Sequence, residues 1–163
     1  MSQRQEREYT MLKKIISGGQ TGADRAALDA AIRLGIPHGG WVPKGRLAED
    51  GCVPDHYQLE EMPTSDYRKR TQKNVAESDG TLLVSRGAPA GGTDFTRVQV
   101  LRQGKQILGI DLNNQSNLQD AASLITSWIE LQRIEVLNVA GPRASKDPCI
   151  YQDTLSLLIF ALG

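Results

Sequence analysis

Two glycine clusters in this 163-residue chain have the composition of anion-holding loops. The first is Ser17-Gly18-Gly19-Gln20-Thr21-Gly22-Ala23-Asp24-Arg25, and the second is Gly87-Ala88-Pro89-Ala90-Gly91-Gly92-Thr93-Asp94-Phe95-Thr96. Paired glycines let the backbone approach a ligand closely, and the first amides of a following helix point toward bound negative charge. Neither cluster is a GxGxxG fingerprint and neither carries a P-loop lysine, so the class of anion stays open. Two plainer readings stand beside this one: a strand-to-helix turn that needs glycine for sterics alone, and Thr93 as an ordinary helix N-cap.

A third cluster, Asn138-Val139-Ala140-Gly141-Pro142-Arg143-Ala144-Ser145, offers Arg143 and Ser145 either to the same ligand or to solvent. Arg25 falls in the first turn of a helix, where a cation opposes the positive end of the dipole. Pairing with Asp24 or with a bound anion would offset that cost. Lys44 lies in a polar loop after Trp41, and Arg70 and Asn74 stand one helical turn apart and can point together. The basic run Arg68, Lys69, Arg70 and Lys73 is most simply a solvated face, with Arg70 exempted. Cys52, Asp55 and His56, with Asp50 nearby, make a lone Cys-x3-His group without a second ligand pair, so no protein-bound bare metal is expected. No GxSxG elbow supports serine hydrolase chemistry.

Alternating strands and helices must position these loops. Lys13 to Ser17 predicts a strand running into the first cluster and then an alanine-rich helix, Ala23 to Leu34, with Gly35 as its left-handed cap. A strand is expected around His38 to Val42, then an irregular stretch from Pro43 to Pro63 of a length usually tied to function or disorder. Ser65 can cap a helix over 66–77, and Thr81 to Ser85 is a continuous apolar run suited to a doubly covered parallel strand. The second cluster then opens a helix over 93–103, stopped by Gly104. A strand at 106–110, a helix at 118–131, a strand at 134–140 and an apolar helix at 148–162 complete the chain. This alternation predicts an α/β fold: a doubly wound, mostly parallel sheet of about five or more strands in a single domain at 13–163, after a frayed tail at 1–12. Ligands in such folds bind at the carboxyl ends of the strands, near the switch point of strand order.

Composition narrows the partners. Lysine plus arginine and aspartate plus glutamate each total 19, so no global field draws nucleic acid or an anionic membrane. The longest apolar run, Leu155 to Leu162, is far shorter than the roughly 20 residues that span a bilayer. Met1 to Thr10 lacks the apolar core of a secretory signal, which makes the cytoplasm the default location. Cys52 and Cys149 form no CxxC pair and read as two reduced thiols.

The stretch Ser-Gly-Gly-Gln-Thr-Gly-Ala-Asp-Arg-Ala-Ala-Leu-Asp-Ala-Ala at 17–31 resembles the signature of the putative molybdenum carrier family. Similar blocks follow at 39–46, 49–51, 70–75, 78–81, 91–93 and 138–143, so the resemblance runs over nearly the whole chain from about Lys14. It implies a Rossmann-like fold of the wider group that includes cytokinin-activating phosphoribohydrolases and DNA-processing proteins, which bind nucleotides or their derivatives. Carried over, Gly18, Gly19, Thr21 and Gly22 match one ligand loop, and Gly91, Gly92 and Thr93 match the phosphate loop. Asp24, Lys44, Arg70, Asn74 and Arg143 are further polar candidates. Ala144 stands where relatives often have glutamate, so no acid or base work is available there. The helix after the second cluster offers only Asp94 where the phosphoribohydrolases place a glutamate.

Three functional expectations follow. The first is a binding protein whose loops, including Gln20 and Arg25, hold a phosphorylated nucleotide-like ligand, which the family name suggests is the molybdenum cofactor. The second is an enzyme that cleaves an N-glycosidic bond in a nucleotide, using Asp24 or Asp94 as carboxylate and Arg70 on the phosphate. The third is an interaction module with purely structural glycine loops. Homodimers or homotetramers are plausible for this fold group.

Overall fold

The structure, a computed structural model, describes residues 12–115 and 117–163. The expected tail at 1–12 therefore lies outside the described residues except for Leu12, which packs partly buried against the main core. Five strands build a wholly parallel sheet: β1 (Lys14–Ile16), β2 (His38–Gly39), β7 (Gly80–Ser85), β8 (Gln106–Asp111) and β9 (Val136–Ala140). Two ribbons stand apart from it, with β3 (Trp41–Val42) parallel to β6 (Glu60–Glu61) and β4 (Leu47–Ala48) antiparallel to β5 (Gly51–Cys52). Five helices are present among the described residues: α1 (Ala23–Leu34), α2 (Tyr67–Glu77), α3 (Gly91–Arg102), α4 (Leu118–Gln132) and α5 (Ile150–Leu162).

The helices fall into two groups, α1, α5 and α4 packed side by side and α2 packed with α3. The alanines of α1 make the first group possible, because Ala23, Ala26, Ala27, Ala30 and Ala31 are all fully buried and allow close approach. They join Ile15, Leu82, Val84, Leu137 and Val139 of the strands and Ile125, Ile129, Leu157 and Leu158 of α4 and α5 in one core. A smaller cluster of Leu28, Val42, Val53 and Tyr57 anchors the long segment after β3.

The sheet order is β2-β1-β9-β7-β8, with the last strand in the middle. Taken circularly from β7, the strands β7, β8, β9, β1 and β2 become first to fifth, and the sheet order becomes 2-1-3-4-5, that of a flavodoxin-like doubly wound domain. The switch point of that order lies between β7 and β9. The three clusters singled out in the sequence follow β1, β9 and β7, which are adjacent strands. The α/β, mostly parallel, single-domain architecture expected from the sequence is the one observed.

Several details differ. The strand expected at 38–42 is broken at Gly40, whose φ of +127° turns the chain after β2 out of the main sheet and into the β3–β6 ribbon. The segment at 43–63, expected to be irregular, contains three short strands. Asp66 rather than Ser65 caps α2, its carboxylate accepting the Arg68 amide at 3.0 Å. Helix α3 begins at Gly91, two residues earlier than expected, so Thr93 is inside its first turn and Ala90 is the N-cap residue.

Candidate functional site

A cleft of about 1040 Å³ opens at the carboxyl ends of β1, β9 and β7, the size of small-molecule sites generally. Its floor is the start of α3. Ala90 has no side chain able to cap a helix, so the first amides of α3 keep their capacity to hold an anion. Gly91 adopts a φ of +54°, and a Cβ placed on Gly92 would meet no protein atom within 4 Å. Packing inside the protein therefore does not account for glycine at 92. Thr93 is buried and lines the cleft, and its hydroxyl hydrogen-bonds to no protein atom among the described residues. Thr96, one turn on, donates to the Gly92 carbonyl at 3.0 Å and so shapes the turn.

Asp24 and Arg70 form one wall. The Asp24 carboxylate accepts the Gln20 amide at 3.2 Å and lies 3.6 Å from Arg70 Nη1. Burial pushes its carboxyl up to about 6, with Arg70 opposing the rise. Arg70 is buried and donates to the carbonyls of Gly18 and Tyr67 at 2.6 and 3.2 Å. Burial lowers its pKa from the ordinary arginine value, and Asp24 holds it up. Asn74, also on the cleft wall, exchanges two bonds with the Trp41 backbone, accepting at 2.8 Å and donating at 3.0 Å, and so fastens β3 to α2.

A second knot closes the rim between the first and third clusters. Glu49, in the turn between β4 and β5, accepts from the Thr21 hydroxyl, from the Ser145 amide at 3.1 Å and from the Ser145 hydroxyl at 2.5 Å. Arg143 Nε lies 3.4 Å from the same carboxylate. The hydrogen bonds from Ser145 and Thr21 hold the Glu49 carboxyl below its usual range. Gly22 lies so close to the third cluster that a Cβ there would be 2.4 Å from the Pro142 carbonyl oxygen.

The candidate residues are thus divided. Gly18, Gln20, Asp24, Arg70, Asn74, Gly91, Gly92, Thr93 and Arg143 line the cleft. Gly19, Thr21, Gly22, Arg25 and Lys44 do not. Arg25 forms a bidentate pair with Asp50 and donates to the Gly19 carbonyl at 3.1 Å, which neutralises the charge that the dipole argument left over. Lys44 is exposed. Asp94 accepts from Arg97 at 2.7 Å on the surface of α3, outside the cleft.

Sequence reasoning missed Arg86, Asn138, Lys146, Leu47 and Tyr67, all on the cleft. Arg86 bridges Asp147 and Asp153 at 2.8 and 2.6 Å, partners more than 60 residues away that no local pattern announces. The strand ends themselves were the available signal for Arg86 and Asn138. Cys52 and Cys149 are exposed, unpaired and off the cleft, and no three His, Cys, Asp or Glu groups among the described residues come together to hold a metal ion.

Fold and cleft together define a circularly rearranged, Rossmann-like domain with its pocket at the switch point. The profile of the circularly permutated YpsA SLOG family matches residues 15–161, and the chain belongs to that family. A crystal structure described as a putative molybdenum carrier protein from Syntrophus aciditrophicus is 60% identical, covering 94% of this chain and 97% of its own, with a TM-score of 0.92. No curated protein matches this chain significantly.

Proposed function

We propose that this protein binds a phosphorylated, nucleotide-like small molecule, its phosphate seated on the amides of Gly91 and Gly92 and the Thr93 hydroxyl. The observation that carries the reading is the start of α3: a helix terminus with no side-chain cap, its Thr93 on the cleft, at the switch point of a doubly wound sheet. The name of the crystallised neighbour supports the molybdenum cofactor as the cargo. The backbone amides, hydroxyls and arginines on the cleft suit the phosphate end of such an organic group, and the cleft offers no thiolate or imidazole to a bare metal ion. Lys146 on the cleft supplies positive charge, and Arg143 lines it while held 3.4 Å from the Glu49 carboxylate. A cytoplasmic location and a homodimer or homotetramer go with this reading, and light scattering on the purified protein tests the assembly.

The deciding experiment is native mass spectrometry of protein purified without added ligand, followed by thermal-shift titration with nucleoside monophosphates, a molybdopterin-type cofactor and molybdate. A ligand that binds only the folded state raises the melting temperature. A shift with the phosphorylated compounds and none with molybdate supports the reading, and no shift with any of them overturns it.

One observation favours a second reading, cleavage of an N-glycosidic bond in a bound nucleotide. Asp24 lies in the cleft wall with its pKa raised to about 6, near the range where a carboxyl can exchange protons at neutral pH, whereas Asp94 lies outside. Release of free base, abolished in Asp24→Asn with binding retained, would establish it.

A further inference from the structure

Among the described residues seven large hydrophobic side chains are exposed, and two of them, Leu47 at 49% and Tyr67 at 55%, line the same cleft. They come from different elements, the β4–β5 hairpin and the first turn of α2, while the polar floor at the start of α3 comes from a third. Pro43, Ala48 and Pro142 extend the apolar lining. A phosphate occupies only a small part of about 1040 Å³, so the cleft has room for a much larger body that meets this apolar lining.

Both exposed side chains stand on fixed backbone. The Tyr67 carbonyl accepts from Arg70 Nε at 3.2 Å and from the Thr71 hydroxyl at 3.1 Å, and Arg70 is itself tied to Gly18. The hairpin carrying Leu47 is held by Glu49 on Thr21 and Ser145 and by Asp50 on Arg25. Arg46 braces it from behind, donating to the carbonyls of Val53, Pro54 and Tyr57. An aromatic side chain loses little conformational freedom on binding, and an exposed apolar pair on rigid backbone gains by covering.

Resting on the phosphate reading above, we propose that Tyr67 and Leu47 form a stacking subsite for a planar heteroaromatic ring carried by the phosphorylated ligand. Aromatic stacking tolerates many rings, because every base presents a π face, so the subsite selects for a ring and leaves its hydrogen-bonding edge to other groups. A nucleobase and a pterin share this chemistry.

The test compares ribose 5-phosphate, the four nucleoside monophosphates and a molybdopterin-type pterin phosphate by calorimetric titration of the full chain and of Tyr67→Ala, Tyr67→Phe and Leu47→Ala. The expected result is that ring-bearing ligands bind wild-type protein more tightly than ribose 5-phosphate. Tyr67→Ala should weaken them about tenfold or more while leaving ribose 5-phosphate unchanged, with Tyr67→Phe close to wild type and Leu47→Ala intermediate. Preference for the pterin or for nucleotides tells which ring the cleft takes. Equal affinity for ribose 5-phosphate and the ring-bearing ligands, or a Tyr67→Ala effect that is nil or the same on both, overturns the stacking subsite and leaves the phosphate site standing. Failure of every phosphorylated compound to bind wild-type protein overturns the phosphate reading and the subsite with it.

Discussion

The Arg70 guanidinium lies across Gly18, donating to its carbonyl at 2.6 Å, so that a Cβ on Gly18 would stand 1.9 Å from Arg70 Nη1. The two residues are 52 positions apart in the chain and meet on the cleft's polar wall. Glycine at 18 therefore makes room for an internal arginine.

Gly18→Ala should push Arg70 out of its seat and loosen its hold on Asp24. Overpacking of this kind costs roughly 1–3 kcal/mol. Arg70→Ala should cost more, about 3–5 kcal/mol, because it strands the Asp24 carboxylate in the interior. Urea denaturation of both variants measures this, and the order Arg70→Ala worse than Gly18→Ala is the discriminating result. Equal, small effects would mean that Asp24 and Arg70 are not coupled in the folded protein.

Asp24 should leave a signature in the pH dependence of stability. Its carboxyl rises from 3.8 to about 6 on folding, with burial as the main cause. Between those values the folded chain holds a proton that the unfolded chain has released, so unfolding free energy falls as pH rises. The favourable contribution is whole below 3.8 and lost once pH passes about 6. Asp24→Asn, which cannot titrate, should lack this downward slope. Stability curves over about pH 4 to 7 that run parallel in the two proteins would refute the shift.

What the sequence could disclose follows from the range of the interactions involved. The runs at Thr81 to Ser85 and the alanine spacing of Ala23 to Leu34 are local patterns, and they announced a parallel α/β sheet correctly. The central place of β9 is a tertiary outcome that no local pattern encodes, and with it the switch point between β7 and β9. Arg25 looked available for an anion because its partner, Asp50, is 25 residues away in a segment expected to be irregular. Glu49 was legible only as part of a family block, and its role emerges when Thr21, Arg143 and Ser145 converge on it. Tyr67 fell within the helix expected at 66–77 without being singled out, and its place on the cleft depends on how α2 docks.

Glu49 ties the β4–β5 hairpin to two other loops, so Glu49→Ala should free that hairpin without unfolding the domain. Hydrogen exchange should accelerate across residues 45–53 and 143–146 and stay unchanged in β7 and β9. Acid should act in the same direction. The Glu49 carboxyl titrates below its ordinary value of 4.5, so its contribution is present above that value and is lost as pH falls through the lowered one. Exchange in the hairpin that is identical in wild type and variant would show that the knot does not hold it.

Gly92 separates the ligand-binding readings from a purely structural one. A Cβ there meets no protein atom within 4 Å, and alanine is about 1 kcal/mol better than glycine inside a helix. Gly92→Ala should therefore leave the protein as stable as wild type or slightly more so, raising Tm by a few degrees at most. The larger Gly92→Val places a branched side chain over the amides proposed to hold phosphate, with the same open surroundings. Both variants should fold, and the valine variant should lose the thermal shift produced by phosphorylated ligands. A Gly92→Val protein that unfolds early, with its ligand response intact, would assign the glycine a structural role and remove the phosphate site from the start of α3.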